Sequence, residues 1–215
     1  MTNQERGDFC RGLASCFHLP SEEIASQIHK GDLYSLFQRY VEAWGEGGHL
    51  LKGFLTSGNP EPCPSDLRNE YNRLFSGLKE ESVSLIESSY KPWTNDPRCP
   101  LPFASETGLL MGDPALHLLE VYRQCDLEVT EEFRSSPDHL ALELEFLSYL
   151  YNWTTDREIK RFIEDHLDWV PLLKTELERL HPHSFYVTAI DVLDFFLNKE
   201  KQRLEVGGNG KKDVS

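Results

Sequence analysis

An adjacent carboxylate and imidazole, Asp138 and His139, are the side chains in this sequence whose types best suit proton transfer. Glu143 follows His139 by four residues, a spacing at which two side chains on one helix can pair. General acid–base catalysis also needs a nucleophile or a metal close by, and the neighbouring sequence supplies neither. Helix capping by Asp138 is therefore the simpler interpretation, and a functional role is the alternative.

Two further histidines, His181 and His183, flank a proline, but two ligands are too few to hold a zinc ion. A polar turn between helices explains them more simply. The glycine-rich phosphate loop, the HExxH helix and the GxSxG turn of common nucleotide-binding and hydrolytic enzymes are missing from the sequence. We therefore expect no catalytic residue, no metal and no cofactor, and predict a protein that is not an enzyme.

The net charge of the chain limits the classes of partner that it can bind. Its 215 residues include 22 lysines and arginines against 36 aspartates and glutamates, a net charge of −14. Nucleic acids and anionic membranes require a basic face, so neither is expected as a partner, whereas a basic peptide is compatible. No apolar run reaches the length of a membrane span, the start lacks a secretory signal, and the five cysteines fit reduced thiols. These features predict a cytoplasmic protein.

The elements that must position these residues are predicted to be helices. The chain has 31 leucines but only 6 isoleucines and 9 valines, which favours helix over strand. We predict an all-α, single-domain helical bundle over 1–205, followed by a disordered tail at 206–215 that is rich in glycine and lysine. Ser136 is predicted to cap a helix with Pro137 in its first turn. Asp156 is predicted to cap the helix after it.

Aromatic side chains are concentrated before a proline-rich loop at 91–102. Tyr71, Phe75, Tyr90 and Trp93 fall in this stretch. Ordinary core packing is the simpler interpretation for each of them. Trp93 differs from the others because it lies within the loop, where helix packing does not bury a side chain automatically.

Five short blocks, in order along the chain, resemble the TorD/DmsD/NarJ family of cytoplasmic redox-enzyme maturation chaperones. The strongest is SPDHLALELEFL at 136–147, which is similar to a signature of that family built around an Asp-His pair. The other blocks are EYNRLFSG at 70–77 with ESSY at 87–90, MGDP at 111–114, VY at 121–122, and HLDWVP at 166–171 with FY at 185–186. Together they extend over about 7–204.

The resemblance implies an all-helical domain that captures the N-terminal twin-arginine leader of a molybdenum-cofactor oxidoreductase before export. It assigns Asp138 and His139 to the leader-binding groove, with Tyr90 and Trp93 beside them. A twin-arginine leader has a basic front and an apolar stretch, and carboxylates are suitable partners for its arginines. The complete set of predicted peptide-binding residues is Tyr71, Phe75, Glu87, Tyr90, Trp93, Pro137, Asp138, His139 and Glu143.

Several alternatives stay open at this level. A NarJ-like member of the family would assemble a molybdoenzyme that is not exported, and a weak nucleotide-binding or hydrolysing protein is a third reading. The resemblance also leaves open that the chaperone binds the apo-body of its client. Exchange of helices through the loop at 91–103 would give a domain-swapped dimer.

Overall fold

The computed structural model describes residues 1–46, 48–54, 64–77, 82–180 and 185–209. Within these ranges the chain forms helices and one isolated antiparallel bridge between Ile86 and His139, without a strand. This confirms the all-α class. The α-helices of the described residues are α1 (Asn3–Phe17), α2 (Glu22–Lys30), α3 (Asp32–Ala43), α4 (Pro64–Phe75), α5 (Asp113–Gln124), α6 (Leu140–Trp153), α7 (Asp156–His166), α8 (Val170–Leu180) and α9 (Phe185–Asn209).

The centre of the bundle is an aromatic core between α1, α3 and α9. The ring of Phe9 lies 5.1 Å from Phe37, 5.1 Å from Tyr40 and 4.9 Å from Phe196, measured between centroids. All four side chains are buried. Because large aromatic side chains bury the most apolar surface per residue, this cluster contributes strongly to stability.

A buried ion pair joins the first helix to the last. Nε of Arg6 donates to Oε1 of Glu200 at 2.8 Å, and Arg203 donates to the other carboxylate oxygen at 2.8 Å. Tyr151 of α6 also donates to Glu200, at 3.0 Å. Side chains from three helices, α1, α6 and α9, therefore meet at the Glu200 carboxylate.

The start of α6 differs from the prediction. Ser136 and Pro137 lie in a turn before the helix, and the N-cap is His139, whose Nδ1 accepts the Ala141 N–H at 3.2 Å. The reason is a contact with a distant segment. The N–H of Leu140 donates to the carbonyl of Leu85 at 2.8 Å, which holds the backbone extended up to residue 139.

The start of α7 and the end of α9 differ slightly from the prediction. Thr155, rather than Asp156, caps α7 through a capping box with Glu158. Helix α9 extends through Asn209, so it includes the first positions of the predicted tail at 206–215. The rest of that tail, and the turn holding His181 and His183, lie outside the described residues.

The loop between residues 91 and 112 is closed by backbone contacts. The N–H of Asp113 donates to the carbonyl of Trp93 at 2.7 Å, and Trp93 donates to the carbonyl of Glu106 at 2.9 Å. Gly112 lies so close that a Cβ atom there would be 2.5 Å from the Trp93 carbonyl oxygen. Only glycine fits this position without moving the backbone. Over the described residues, no helix combines the length and apolar character that a bilayer crossing needs.

Candidate functional site

Three carboxylates, Glu87, Asp138 and Glu143, lie together inside the protein, each without any exposed surface. Asp138 closes onto the short helical turn Glu87–Ser89: its Oδ2 accepts the backbone N–H of Ser88 at 2.8 Å and also the Ser88 hydroxyl. Burial raises the pKa of Asp138, against the opposing effect of these hydrogen bonds. We call these three residues the buried carboxylate cluster.

Glu143 is the member of the cluster that lies on α6, and its side chain is fully buried. Its pKa is held well above the usual range, first by burial and then by the neighbouring charges of Glu87 and Asp138. Its Oε2 accepts the indole N–H of Trp169 at 3.2 Å, and its Oε1 has no hydrogen-bond partner among the described residues. The raised pKa favours the uncharged carboxyl over the carboxylate at this position.

Glu87 carries the charged contacts of the cluster. Its Oε1 lies 2.6 Å from Nζ of Lys91, and its Oε2 lies 2.9 Å from Nδ1 of His166. Lys91 also donates to the carbonyl of Asp165, at 2.7 Å. The Lys91 side chain is mostly buried, so it provides a counter-charge at the edge of the cluster.

These contacts correct the expected role of the carboxylates. Glu87, Asp138 and Glu143 were predicted to pair with the arginines of a bound peptide, but they have no surface to offer in this conformation. Asp138 bonds to Ser88, and Glu87 contacts Lys91 and His166. One oxygen of Asp138 and one of Glu143 have no hydrogen-bond partner among the described residues.

His139 and Pro137 are also internal. The expected pairing of His139 with Glu143 is wrong, since the His139 ring turns to cap α6 and packs 5.0 Å from the Phe133 ring. Burial lowers the pKa of His139 to about 4, so the ring is neutral near pH 7. The carbonyl of Pro137 accepts the hydroxyl of Tyr122 at 3.2 Å.

The four predicted aromatic residues are divided between two places. Tyr90 stacks on Trp169 at 5.0 Å and donates to the carbonyl of Ser84 at 2.9 Å, while Trp93 packs against another ring of the loop. Tyr71 and Phe75 form a separate cluster on α4. All four keep part of their surface exposed, so contact with a peptide stays a prediction for them.

A groove with a volume of about 490 Å³ lies between α5, α6 and α7. Its apolar lining includes Val121, Phe146, Leu150 and Phe162, and its rim carries Glu120, Glu158 and Asp165 against the single guanidinium of Arg161. We refer to this feature as the α6 groove. An apolar lining beneath a predominantly acidic rim suits a ligand with both apolar and cationic parts.

One side of the α6 groove is a row of aromatic rings. Phe146 and Tyr149 stack at 5.7 Å, and Tyr149 continues to Trp153 at 6.3 Å. The Trp153 side chain is 75% exposed, although it is the largest type of apolar side chain. Faces of aromatic rings attract guanidinium groups, so these rings add to the attraction of the carboxylates for arginine.

A pair of histidines links the groove to the buried carboxylate cluster. Nδ1 of His117 lies 2.7 Å from Nε2 of His166, and both residues line the groove. The other ring nitrogen of His166 contacts Glu87. Partial burial, followed by the neighbouring His166, lowers the pKa of His117. The buried carboxylate cluster therefore contacts one wall of the α6 groove, at His166, from the interior of the protein.

Sequence reasoning missed the α6 groove because its lining comes from three helices. One signal was available: Phe146, Tyr149 and Trp153 recur at the spacing of one helix face. Among the described residues, no group of three or more metal-binding side chains is arranged to hold an ion. The α6 groove presents apolar, aromatic and carboxylate side chains.

Comparisons with known proteins show to which family the chain belongs. The model of the family described as nitrate reductase delta subunit matches residues 38–179. Relatives named "Chaperone protein TorD" include one from Vibrio atlanticus, 29% identical with 94% of this chain and 95% of the relative covered. Others are from Shewanella piezotolerans, 24% identical over 89% and 91%, and from Vibrio cholerae, 22% identical over 94% and 93%.

These chaperone relatives confirm the expected class, a binding protein rather than an enzyme. The family match also confirms the resemblance noted in the sequence. This chain belongs to the nitrate reductase delta subunit family, to which the TorD-like chaperones are related.

Proposed function

We propose that this chain is a cytoplasmic chaperone for redox-enzyme maturation that binds the N-terminal twin-arginine leader of a molybdoenzyme subunit in the α6 groove. The observation that carries the proposal is the groove itself, where apolar and aromatic side chains lie beneath a rim of three carboxylates. Such a surface matches the two chemical parts of a leader, its arginine pair and its apolar stretch.

The net charge of −14 supports the same proposal, because it attracts a basic segment over distance before contact is made. Glu120, Glu158 and Asp165 then provide acceptors at the rim. Glu158 is occupied by the capping box of α7, where it accepts from Thr155. The other two have ion-pair partners: Glu120 pairs with Arg123 at 2.7 Å and Asp165 with Arg161 at 3.2 Å. These are exposed pairs of small energy, so a guest arginine can exchange with the local one.

The strength of binding follows from the contact area. A leader that covers about 500 Å² of apolar surface gains about 12 kcal/mol, before the costs of association and ordering are subtracted. The remainder corresponds to a dissociation constant near micromolar. This affinity suits a chaperone, since it must release its client.

The signature residues contribute indirectly in this proposal. Asp138 fixes the turn that holds Glu87, and Glu87 positions His166 in the groove wall. Replacing both Asp138 and His139 by alanine is expected to weaken binding by disturbing that wall. Tyr90 and Trp93 keep exposed surface and stay candidates for direct contact with the client.

Calorimetric titration with a synthetic twin-arginine leader tests the proposal. Trp153→Ala is expected to weaken binding about tenfold, whereas Leu172→Ala, which also removes an exposed apolar side chain (54% exposed) but from α8, leaves binding unchanged. For the rim, Glu120→Gln is expected to weaken binding about threefold.

Glu131→Gln is the matched control for the rim, because Glu131 pairs with Arg134 three residues ahead just as Glu120 pairs with Arg123. Equal affinity of all four variants for the leader would remove the α6 groove from the proposal.

The match to the nitrate reductase delta subunit family is also compatible with another client, a molybdoenzyme that is not exported and lacks the arginine pair. A peptide with both arginines replaced by glutamine separates the two clients. Unchanged affinity for this peptide would favour the client that is not exported.

A further inference from the structure

The geometry of the pair formed by His117 and His166 fixes where its protons can lie. The two rings are nearly coplanar, with 18° between their planes, and their centroids are 4.8 Å apart. Nδ1 of His117 lies 2.7 Å from Nε2 of His166. A contact this short needs one proton between the two nitrogens, because two protons would repel each other and two bare lone pairs would do the same. The pair therefore shares a single proton at this contact.

Glu87 determines which nitrogen of His166 donates. Oε1 of Glu87 lies 2.6 Å from the ammonium of Lys91, and Oε2 lies 2.9 Å from Nδ1 of His166. A carboxylate oxygen can only accept, so Nδ1 of His166 carries a proton. In a neutral His166 the lone pair is then on Nε2, and His117 donates to it from Nδ1. This arrangement leaves Nε2 of His117 as the atom of the pair that can take up a further proton.

The pair leads from the surface to the interior. His117 is exposed and lines the α6 groove, His166 is 3% exposed, and Glu87 has no exposed surface. Partial burial and the neighbouring His166 lower the pKa of His117, so an added proton is held weakly there. An imidazolium at His166 instead lies next to the carboxylate of Glu87, whose opposite charge favours it.

The other charges around the pair have both signs. On α7, Asp165 favours a positive charge at His117 and Arg161 opposes it. Lys91 opposes a positive charge at His166, because it shares the carboxylate of Glu87. The remaining ionisable groups nearby are Glu120 of α5 and Glu158 of α7, which line the same groove, and Glu143 of α6, whose raised pKa favours its uncharged form.

We infer that His117 and His166 form a proton relay, in which a proton from the α6 groove is taken up at Nε2 of His117 and the positive charge comes to rest on His166 beside Glu87. An N–H bond forms at Nε2 of His117, the N–H bond at its Nδ1 breaks, and an N–H bond forms at Nε2 of His166. His117 ends neutral, in its other tautomer. The inference goes beyond the proposed function, since the relay works without a client.

Lys91 is a poorer route for protons to Glu87. Burial lowers the pKa of Lys91, but Glu87 and Asp168 raise it by more, so that it lies above its ordinary value. The ammonium therefore keeps its protons near pH 7, and a group that does not release a proton cannot pass one on. The imidazole pair can do both, because each ring has one donor and one acceptor nitrogen.

The relay gives the buried carboxylate cluster a response to mild acid. After uptake of a proton, Glu87 has a cation at each oxygen, Lys91 at Oε1 and the imidazolium of His166 at Oε2. His166 is the last residue of α7, and Glu87 begins the turn Glu87–Ser89. The attraction between α7 and this turn is therefore stronger in acid than at neutral pH.

Nitrogen-15 NMR of the histidine rings in the full chain tests the relay. Titration from about pH 8 to about pH 5 is expected to convert His166 to an imidazolium, while His117 changes from the Nδ1–H to the Nε2–H tautomer and stays neutral. An imidazolium at His117 beside a neutral His166 would overturn the relay. A His166 that stays neutral throughout the titration would also overturn it.

His117→Gln separates the relay from a structural role. The glutamine amide can still donate a hydrogen bond to Nε2 of His166, but it has no second nitrogen with which to pass a proton on. Protonation of the buried His166 must then wait for local opening, so we expect its exchange between the two protonation states to slow about tenfold or more. In the spectrum, one averaged set of His166 signals would become two separate sets.

His49→Gln is the matched control, because His49 is an exposed histidine in the helical turn Gly48–Phe54, away from the pair. Its replacement is expected to leave the His166 signals averaged. Signals that stay averaged in His117→Gln as well would show that protons reach His166 by another route and would overturn the relay.

Discussion

Nδ1 of His166 lies 2.9 Å from Oε2 of Glu87, so a residue of the groove wall is bonded directly to a carboxylate with no exposed surface. The two residues are 79 positions apart in the sequence. Through this contact, a change inside the protein alters the surface that a client would meet.

Lys91 is expected to be the most important counter-charge of the buried carboxylate cluster. Lys91→Met leaves Glu87 buried next to Asp138 without its lysine, which is expected to lower the free energy of unfolding by about 3–5 kcal/mol. Lys160→Met is the control, because Lys160 pairs with Glu164 at the surface and its loss costs less than about 1 kcal/mol. Urea denaturation of both variants measures the difference, and equal losses would contradict the role given to Lys91.

Asp138 is expected to stabilise the turn at Glu87–Ser89. In Asp138→Ala the buried N–H and hydroxyl of Ser88 lose their acceptor, at a cost of about 2–4 kcal/mol. Asp138→Asn retains an acceptor oxygen, so we expect a smaller loss. Thermal unfolding followed by circular dichroism compares the two variants, and an alanine variant as stable as the asparagine variant would show that these hydrogen bonds are unimportant.

Glu143 is expected to make the protein less stable as the pH rises. Its pKa is raised in the folded state, so folding takes up a proton above the unfolded value near 4.5, and stability falls as the pH increases through that region. Glu143→Gln removes this titration, and the amide oxygen can still accept the indole N–H of Trp169.

The glutamine variant should therefore gain stability relative to the wild type as the pH rises above about 4.5. Denaturation at several pH values measures the gain, with the exposed Glu164→Gln as control. A variant that loses stability equally at every pH would show that Glu143 is ionised inside the protein.

His139, in contrast to Glu143, is expected to make the protein more stable as the pH rises. Its folded pKa of about 4 lies below the ordinary value of 6.5, so its contribution is complete above pH 6.5 and is lost as the pH falls toward 4. The loss amounts to at most about 3 kcal/mol. His139→Asn keeps a good N-cap acceptor and removes the titration. The difference in unfolding free energy between wild type and variant, measured from pH 7 to pH 4, should change with pH, and a constant difference would contradict the lowered pKa.

Most of the fold could be predicted because local signals and packing agree. Ser21 caps α2 as its sequence suggests, and the inward face of α9 at Ile190, Leu193 and Phe196 is buried as its spacing predicts. Gly31, with a φ of 73°, ends α2 and separates it from α3. Glycine permits this turn, but its presence alone does not require one.

The site was predicted less well because its arrangement depends on contacts between distant segments. Ser136 and Pro137 form a suitable helix start, yet the bonds from Leu85 and Glu87 to the backbone at 138–140 move the start to Leu140. No local pattern contains that information. Glu143, within the leucine-rich sequence of α6, was a further signal. A charged residue on an apolar helix face indicates a buried polar network.

The contact between Arg6 and Glu200 has a consequence for how the chain is made. The Arg6 guanidinium, which is buried in the folded protein, cannot pair with Glu200 until 194 further residues have been synthesised. Helix α1 can form early, but it cannot pack against α9 until then. Folding that depends on partners so distant in sequence is slow, so the nascent chain spends much of its synthesis with its aromatic core uncovered.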